Sequence, residues 1–274
     1  MKLFIAKLIG AVLNKFAFIN QSKASDWALD LFSRPLKGRL KHPHPTLEMA
    51  SKKNFFAKNN KIATYLWKGT GETILLAHGW HSNSGRWKNT ISRLIKQDYN
   101  VVALDAPAHG ASGSKIFNAI LYAQFVEVVC KEFNPSILIG HSVGGMAISY
   151  FLKNNSNYKA DKLVFLGVPA GFPGIFKNYS DLMGYNEKVR VGMESVIQKR
   201  FGVPSSHFNT ATFVKEITGE CLLIHDEFDS VIPYSDAKDI HRAFKNSHLF
   251  TTQGLGHGLK SKQVIDKIMD FVQS

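Results

Sequence analysis

Short apolar runs recur along the chain and are separated by stretches whose apolar residues fall three or four apart. Runs at Lys61–Trp67, Thr73–Ala77, Val101–Leu104, Ser136–Ile139, Lys162–Leu166, Glu220–Ile224 and Ser247–Thr252 have the length and bounding turns of strands. Between them, Trp87, Ile91, Leu94 and Ile95, the run Phe117–Phe133 and the run Met146–Lys153 have helical spacing. Strand and helix alternate, which predicts an α/β protein built on a parallel sheet with crossover connections.

The alternation breaks once, between Leu166 and Glu220. There Val189, Met193, Val196, Ile197 and Phe201 repeat at helical spacing, and Phe172, Phe176, Tyr179, Met183 and Tyr185 add bulky apolar surface. Residues 170–216 are therefore expected to form a small insertion, either a lid that shapes a pocket or a helix that covers the sheet edge.

The first twenty residues follow a different pattern. Ile5, Leu8, Ile9, Val12, Phe16 and Ile19 share one side of a helix, with Lys7 and Asn14 opposite. This amphipathic helix is expected to pack on the body of the protein through its apolar side; lying on a membrane is the alternative. A signal peptide competes, because Ser22-Lys23-Ala24 offers small residues after an apolar stretch, but Lys7 and Asn14 interrupt that stretch. A second short helix at Asp26–Phe32 stops near Pro35, and Pro43–Pro45 reads as an extended connector. The chain thus divides into a basic N-terminal extension, residues 1–60, and a main domain, residues 61–274.

Charge sharpens that division. The net charge is +13, of which residues 1–61 carry +9. No arginine cluster, zinc-finger spacing or aromatic RNA-binding signature accompanies it, which argues against nucleic acid. Peripheral contact of residues 1–20 with an anionic membrane fits better, beside the ordinary reading of a solvated lysine-rich surface. The two cysteines, Cys130 and Cys221, fall in apolar runs, which points to a reducing, cytoplasmic setting and no disulfide framework.

The chemistry is concentrated at Gly140-His141-Ser142-Val143-Gly144, between the run ending at Ile139 and the helix from Met146. Gly-x-Ser-x-Gly in a strand-turn-helix setting is the pattern of a nucleophile elbow, where a tight turn lifts the serine hydroxyl above the sheet. Its partners are expected in the order acid then histidine, each after a later strand. Asp229 follows the Glu220 strand and His257, in Gly254-Leu255-Gly256-His257-Gly258, follows the Ser247 strand. Asp226, Glu227 and Asp236 compete for the acid role. Upstream, His78-Gly79-Trp80 closes the Thr73 strand, and Asp105-Ala106-Pro107-Ala108-His109-Gly110 closes the next.

With these motifs in register, residues 61–274 resemble the α/β-hydrolase family. The resemblance implies an eight-stranded, mostly parallel sheet with helices on both faces and a hydrolytic site over the strand ends, needing no metal or cofactor. It implies Ser142 as nucleophile, His257 as general base and acid, and Asp229, placed just before Ser230-Val231-Ile232-Pro233, as the triad acid. The N–H groups of Val143 and Trp80 would form the oxyanion hole. His78, His109 and His141 would serve as structural hydrogen-bonding groups. The expected activity is hydrolysis of a carboxylic ester with a small apolar or amphipathic acyl group through an acyl-enzyme. Thioester cleavage and acyl transfer use the same residues, and a ligand-binding regulator on this fold is the rival from another class. Oligomeric state is not legible in the sequence.

Overall fold

Along each central strand, alternate side chains enter one of two cores, and this decides how the chain is layered. The computed structural model describes residues 2–40, 42 and 44–274; Pro43, part of the predicted connector, lies outside them. Eight strands, β1 (Ser51–Ala57), β2 (Asn60–Trp67), β3 (Thr73–Ala77), β4 (Asn100–Leu104), β5 (Ile137–His141), β6 (Lys162–Leu166), β7 (Glu220–Asp226) and β8 (Ser247–Thr252), lie in the order β1-β2-β4-β3-β5-β6-β7-β8. β1 pairs with β2 and β2 with β4 antiparallel; all other pairs are parallel.

Helices occupy both faces of this sheet. The helices of the described residues are, in chain order and wherever they pack, α1 (Lys2–Phe16), α2 (Gln21–Ser33), α3 (Pro45–Glu48), α4 (Lys88–Lys96), α5 (Ala119–Phe133), α6 (Val143–Asn154), α7 (Phe172–Met183), α8 (Glu187–Phe201), α9 (Thr210–Phe213), α10 (Tyr234–Ala243) and α11 (Lys262–Gln273). Leu75, Val102, Leu138, Leu163 and Leu223 point to the core shared with α5, α6 and α10. Their neighbours Ile74, Val101, Ile137, Val164 and Leu222 point to the core shared with α4 and α11. Being buried on both faces is why β3 to β7 read as continuous apolar runs. Cys130 and Cys221 are buried free thiols in the first of these cores. Burial pushes the Cys130 thiol up to about 12, so it behaves as an apolar side chain.

The chain separates into two compact units: residues 1–34 with 171–209, and residues 35–170 with 210–274. This moves two expected boundaries. Residues 35–60 belong to the sheet unit, since they include β1, an edge strand whose first four residues, Ser51 to Asn54, are all exposed. Charged, exposed edge strands are common because they discourage pairing with other chains, but they carry no apolar alternation to read. The insertion also ends earlier than expected, at 209, because Phe213 and Val214 are buried in the sheet unit.

The smaller unit has its own core, built from Leu13, Ala17, Ala28, Leu29, Phe176, Val189, Met193 and Ile197, among others. Helix α1 packs there with the side opposite to the expected one. Gly10, Leu13 and Ala17 are buried, while Ile5, Leu8, Ile9 and Val12 are exposed. The physical reason is a close backbone approach. A Cβ on Gly10 would lie 1.8 Å from the Met183 carbonyl oxygen, so only glycine fits there. Asn14 then bridges the next turn, donating to the Gly184 carbonyl at 2.8 Å and accepting from the Asn186 N–H at 2.8 Å. Both groups flank the α7–α8 turn and would otherwise be left without a partner from their own helices. Arg200 on α8 pairs with Asp26 and Asp30 on α2 at 2.8 and 2.7 Å. Among the described residues no helix is long and apolar enough to cross a membrane.

Candidate active site

β5 delivers the site. It lies between β3 and β6, buried along its whole length, and the chain reverses sharply where it ends. Ser142 sits at φ 54°, ψ −127°, a region that costs a non-glycine residue about 1–3 kcal/mol. The turn is held because the Ser142 N–H donates to the Leu166 carbonyl at 2.8 Å, and its own carbonyl accepts from the Gly145 N–H at 3.0 Å. The flanking glycines are sterically required. A Cβ at Gly140 would lie 2.5 Å from the Gly145 Cα, and one at Gly144 would lie 2.4 Å from the Ala77 carbonyl oxygen.

Two loops bring the predicted partners to this serine. His257, in the turn after β8, places Nε2 3.0 Å from Ser142 Oγ. Its Nδ1 is 2.7 Å from Asp229 Oδ2. The Asp229 carboxylate is fully buried, and its other oxygen accepts from the N–H groups of Val231 and Ile232 at 2.8 and 3.0 Å. Burial works to raise its pKa, yet hydrogen bonds from His225 and His257 and from the Ile232 backbone outweigh this and hold it well below the usual carboxylate range. Asp229 is therefore ionised at neutral pH. With Oδ2 an acceptor, His257 carries its proton on Nδ1 and leaves Nε2 free to accept from Ser142.

The rival acids serve elsewhere. Asp226 accepts from Thr252 Oγ1, Leu255 N–H and Phe228 N–H at 2.8, 2.8 and 3.0 Å, which ties the loops after β7 and β8 together. Asp236 accepts from the Ala170 N–H at 2.8 Å. Glu227 lies on the surface, bonded to Gln253.

The two predicted oxyanion donors lie on the backbone around the serine. Val143 is the first residue of α6, where a backbone N–H has no partner within its own helix. Trp80 follows Gly79, and a Cβ on Gly79 would lie 2.9 Å from Ser142 Cβ, so this turn passes directly beside the nucleophile position.

A buried polar scaffold surrounds these turns. Asp105, with no exposed surface, accepts from Ser84 N–H, Ser84 Oγ, Tyr65 Oη and Ala111 N–H at 2.8 to 2.9 Å. It joins the loop after β3 to the loop after β4. His78 accepts from the Ala106 N–H at 2.9 Å through Nε2 and donates through Nδ1 to the Gly79 carbonyl at 2.8 Å. His109 accepts from the His81 N–H at 3.0 Å and donates to the Pro107 carbonyl at 2.8 Å. His141 donates from Nε2 to the His257 carbonyl at 2.8 Å.

Arg86 was not singled out by the sequence. Its guanidinium is buried, lies over the Trp87 ring, and donates to the Gly258 carbonyl at 3.2 Å. Burial lowers its pKa to about 10, so it stays charged at neutral pH. Arg86 and His141 thus fix two successive carbonyls beside the His257 ring. A lone arginine in a short turn belongs to no motif, so nothing in the local pattern marks it.

The buried histidines make stability depend on pH. Burial above all drives His109 down to about 3 and lowers His78 and His141 as well. In the unfolded chain these groups titrate near 6.5. A lowered folded pKa means the stabilisation is complete above about 6.5 and is lost as pH falls from there toward 3. The urea midpoint is therefore expected to drop already between pH 7 and pH 5.5, before most carboxylates titrate. The drop should shrink in His109→Gln, which keeps a donor and an acceptor but no titrating ring. An equal drop in that variant would contradict the assignment.

The fold and the strand-turn-helix serine define a protein of the hydrolase-like α/β class. A profile of the alpha/beta hydrolase family matches residues 74–244, and the chain belongs to that family. It is 27% identical over 167 residues to the (E)-2-((N-methylformamido)methylene)succinate hydrolase of Acinetobacter baylyi, which covers 59% of this chain and 56% of that relative. It is 24% identical over 253 residues to a bifunctional esterase/perhydrolase of Acinetobacter calcoaceticus, covering 73% of this chain and 91% of that relative. Among solved structures, a bromoperoxidase from Bacillus anthracis superimposes with a TM-score of 0.63 at 18% identity, over 82% of this chain and 100% of that one. That likeness carries the fold alone.

Proposed function

We propose that the chain is a serine hydrolase that cleaves a carboxylic ester. The observation that carries this reading is the continuous hydrogen-bonded line from Ser142 Oγ through His257 to the ionised Asp229, at 3.0 and 2.7 Å. Membership of a family whose relatives include hydrolases and an esterase supports it.

In this reading Ser142 Oγ attacks the carbonyl carbon while its proton passes to His257 Nε2. Asp229 stabilises the imidazolium that forms and keeps the ring oriented. The carbonyl oxygen, now carrying the negative charge, accepts hydrogen bonds from the Val143 and Trp80 N–H groups. The tetrahedral adduct collapses, the C–O bond to the alcohol breaks, and the alcohol leaves with the proton from His257. Water then repeats the sequence on the acyl-serine, with His257 taking its proton, and the acid departs. No metal or cofactor enters this scheme. The substrate class is an apolar or amphipathic acyl ester, and the lid role predicted for the insertion belongs to the same reading. The buried thiols of Cys130 and Cys221 support residence in a reducing compartment.

The test is product counting across esters and thioesters of graded acyl length. Many product molecules per protein molecule, fastest with an oxygen ester, are expected. A single equivalent of product followed by arrest would favour the ligand-binding alternative, and a thioester preference would shift the bond class.

A further inference from the structure

Helix α1 presents one row of large apolar side chains, from Phe4 to Val12, to solvent. Phe4, Leu8 and Val12 expose 72, 55 and 59% of their surface, and Ile5 and Ile9, one helical row away, expose 47 and 36%. A helix that only covered a core would turn these residues inward. Here the inward side is taken by Gly10, Leu13, Asn14 and Ala17, whose contacts fix the helix in this orientation. Trp27 on α2, 53% exposed and stacked on Phe16 at 5.0 Å, adds to the same apolar surface.

The charge along this helix has one sign. No acidic residue precedes Asp26. Lys7 and Lys15 are exposed, and Lys15 projects from the side of the helix that carries Phe4 and Leu8. Asp26 and Asp30 are drawn into the pair with Arg200 and do not offset these lysines. A second copy of the chain docked on this face would bring lysine against lysine, whereas an anionic lipid surface complements both the charge and the apolar row. Fifteen residues give a helix about 22 Å long, too short for a hydrocarbon layer of about 30 Å. The helix would therefore lie in the plane of the interface.

We propose that the outward face of α1 is a docking surface for an anionic bilayer, with Phe4, Ile5, Leu8, Ile9 and Val12 entering the acyl boundary and Lys15 meeting the headgroups. This does not depend on the serine chemistry, because binding is read without turnover.

The experiment is co-sedimentation of the full chain with vesicles of phosphatidylcholine containing a minority of phosphatidylserine, and with phosphatidylcholine alone. The protein is expected to pellet with the anionic vesicles at low salt and to be released at high salt. Lys15→Gln should weaken partitioning about fivefold, taking roughly 1 kcal/mol for a basic residue near the surface. Leu8→Glu with Val12→Glu should abolish it while leaving the thermal midpoint unchanged, since both side chains are exposed. If the glutamate pair unfolds the protein, the Lys15 variant still decides. Absence of pelleting at low salt, equal binding to both vesicle types, or variants that lose only self-association would each overturn the proposal.

Discussion

Replacing Ser142 with alanine is expected to lower ester turnover by about 10⁶-fold, the scale seen when the nucleophile of a serine hydrolase is removed, and to abolish labelling by a fluorophosphonate. The effect should be this large because no neighbouring group can substitute. Val143 and Gly144 carry no nucleophile, and the His257 ring is directed at the Ser142 hydroxyl itself. The fold should survive, because Ser142 Oγ takes no part in the backbone bonds that hold the turn. Circular dichroism and a urea midpoint check this. Labelling of any other serine, or turnover that persists in the variant, would remove the basis for the proposed reaction.

Asp229→Asn is expected to lower kcat by about 10⁴-fold with little change in KM, as the same exchange does in the serine-protease triad. The asparagine carbonyl oxygen can still accept from the Val231 and Ile232 N–H groups, so the loop keeps its shape. Its amide nitrogen must then face His257 Nδ1. Being a donor, it forces the ring proton onto Nε2, where it confronts Ser142 and prevents proton acceptance. The competing acids should behave differently. Asp226→Asn should chiefly lower the unfolding midpoint, since Asp226 receives three hydrogen bonds from its surrounding loops. Asp236→Asn should do little to kcat. A larger kcat loss in either one would move the acid role to it.

The legible parts of the molecule were those fixed by local sterics or by burial on two faces. Gly140 and Gly144 are readable because nothing larger fits between the elbow and its neighbours. The strands from β3 to β7 are readable because both their faces enter a core. β1 was missed because most of its side chains are exposed, so its pairing with β2 leaves no pattern in its own residues. The orientation of α1 departs from the pattern, which points the apolar row inward. One close contact, Gly10 against Met183, outweighs that pattern, and it links positions far apart in sequence. Arg86, and the bridging role of Asp105 within its strand-end motif, are not legible for a related reason. Each acts on several loops at once, and no local spacing encodes that.

The smaller unit joins residues 1–34 to residues 171–209, and this bears on how the chain is made. During synthesis α1 and α2 leave the ribosome well before α7 and α8, whose surfaces complete their core. At about 5–20 residues per second, they wait on the order of ten to thirty seconds for those partners. Throughout that interval both sides of α1 are uncovered: the row that later packs and the row that stays exposed. Helix α1 is thus an early aggregation hazard among the parts described, and a nascent-chain chaperone that covers it would act before Ser142 has been translated or soon after.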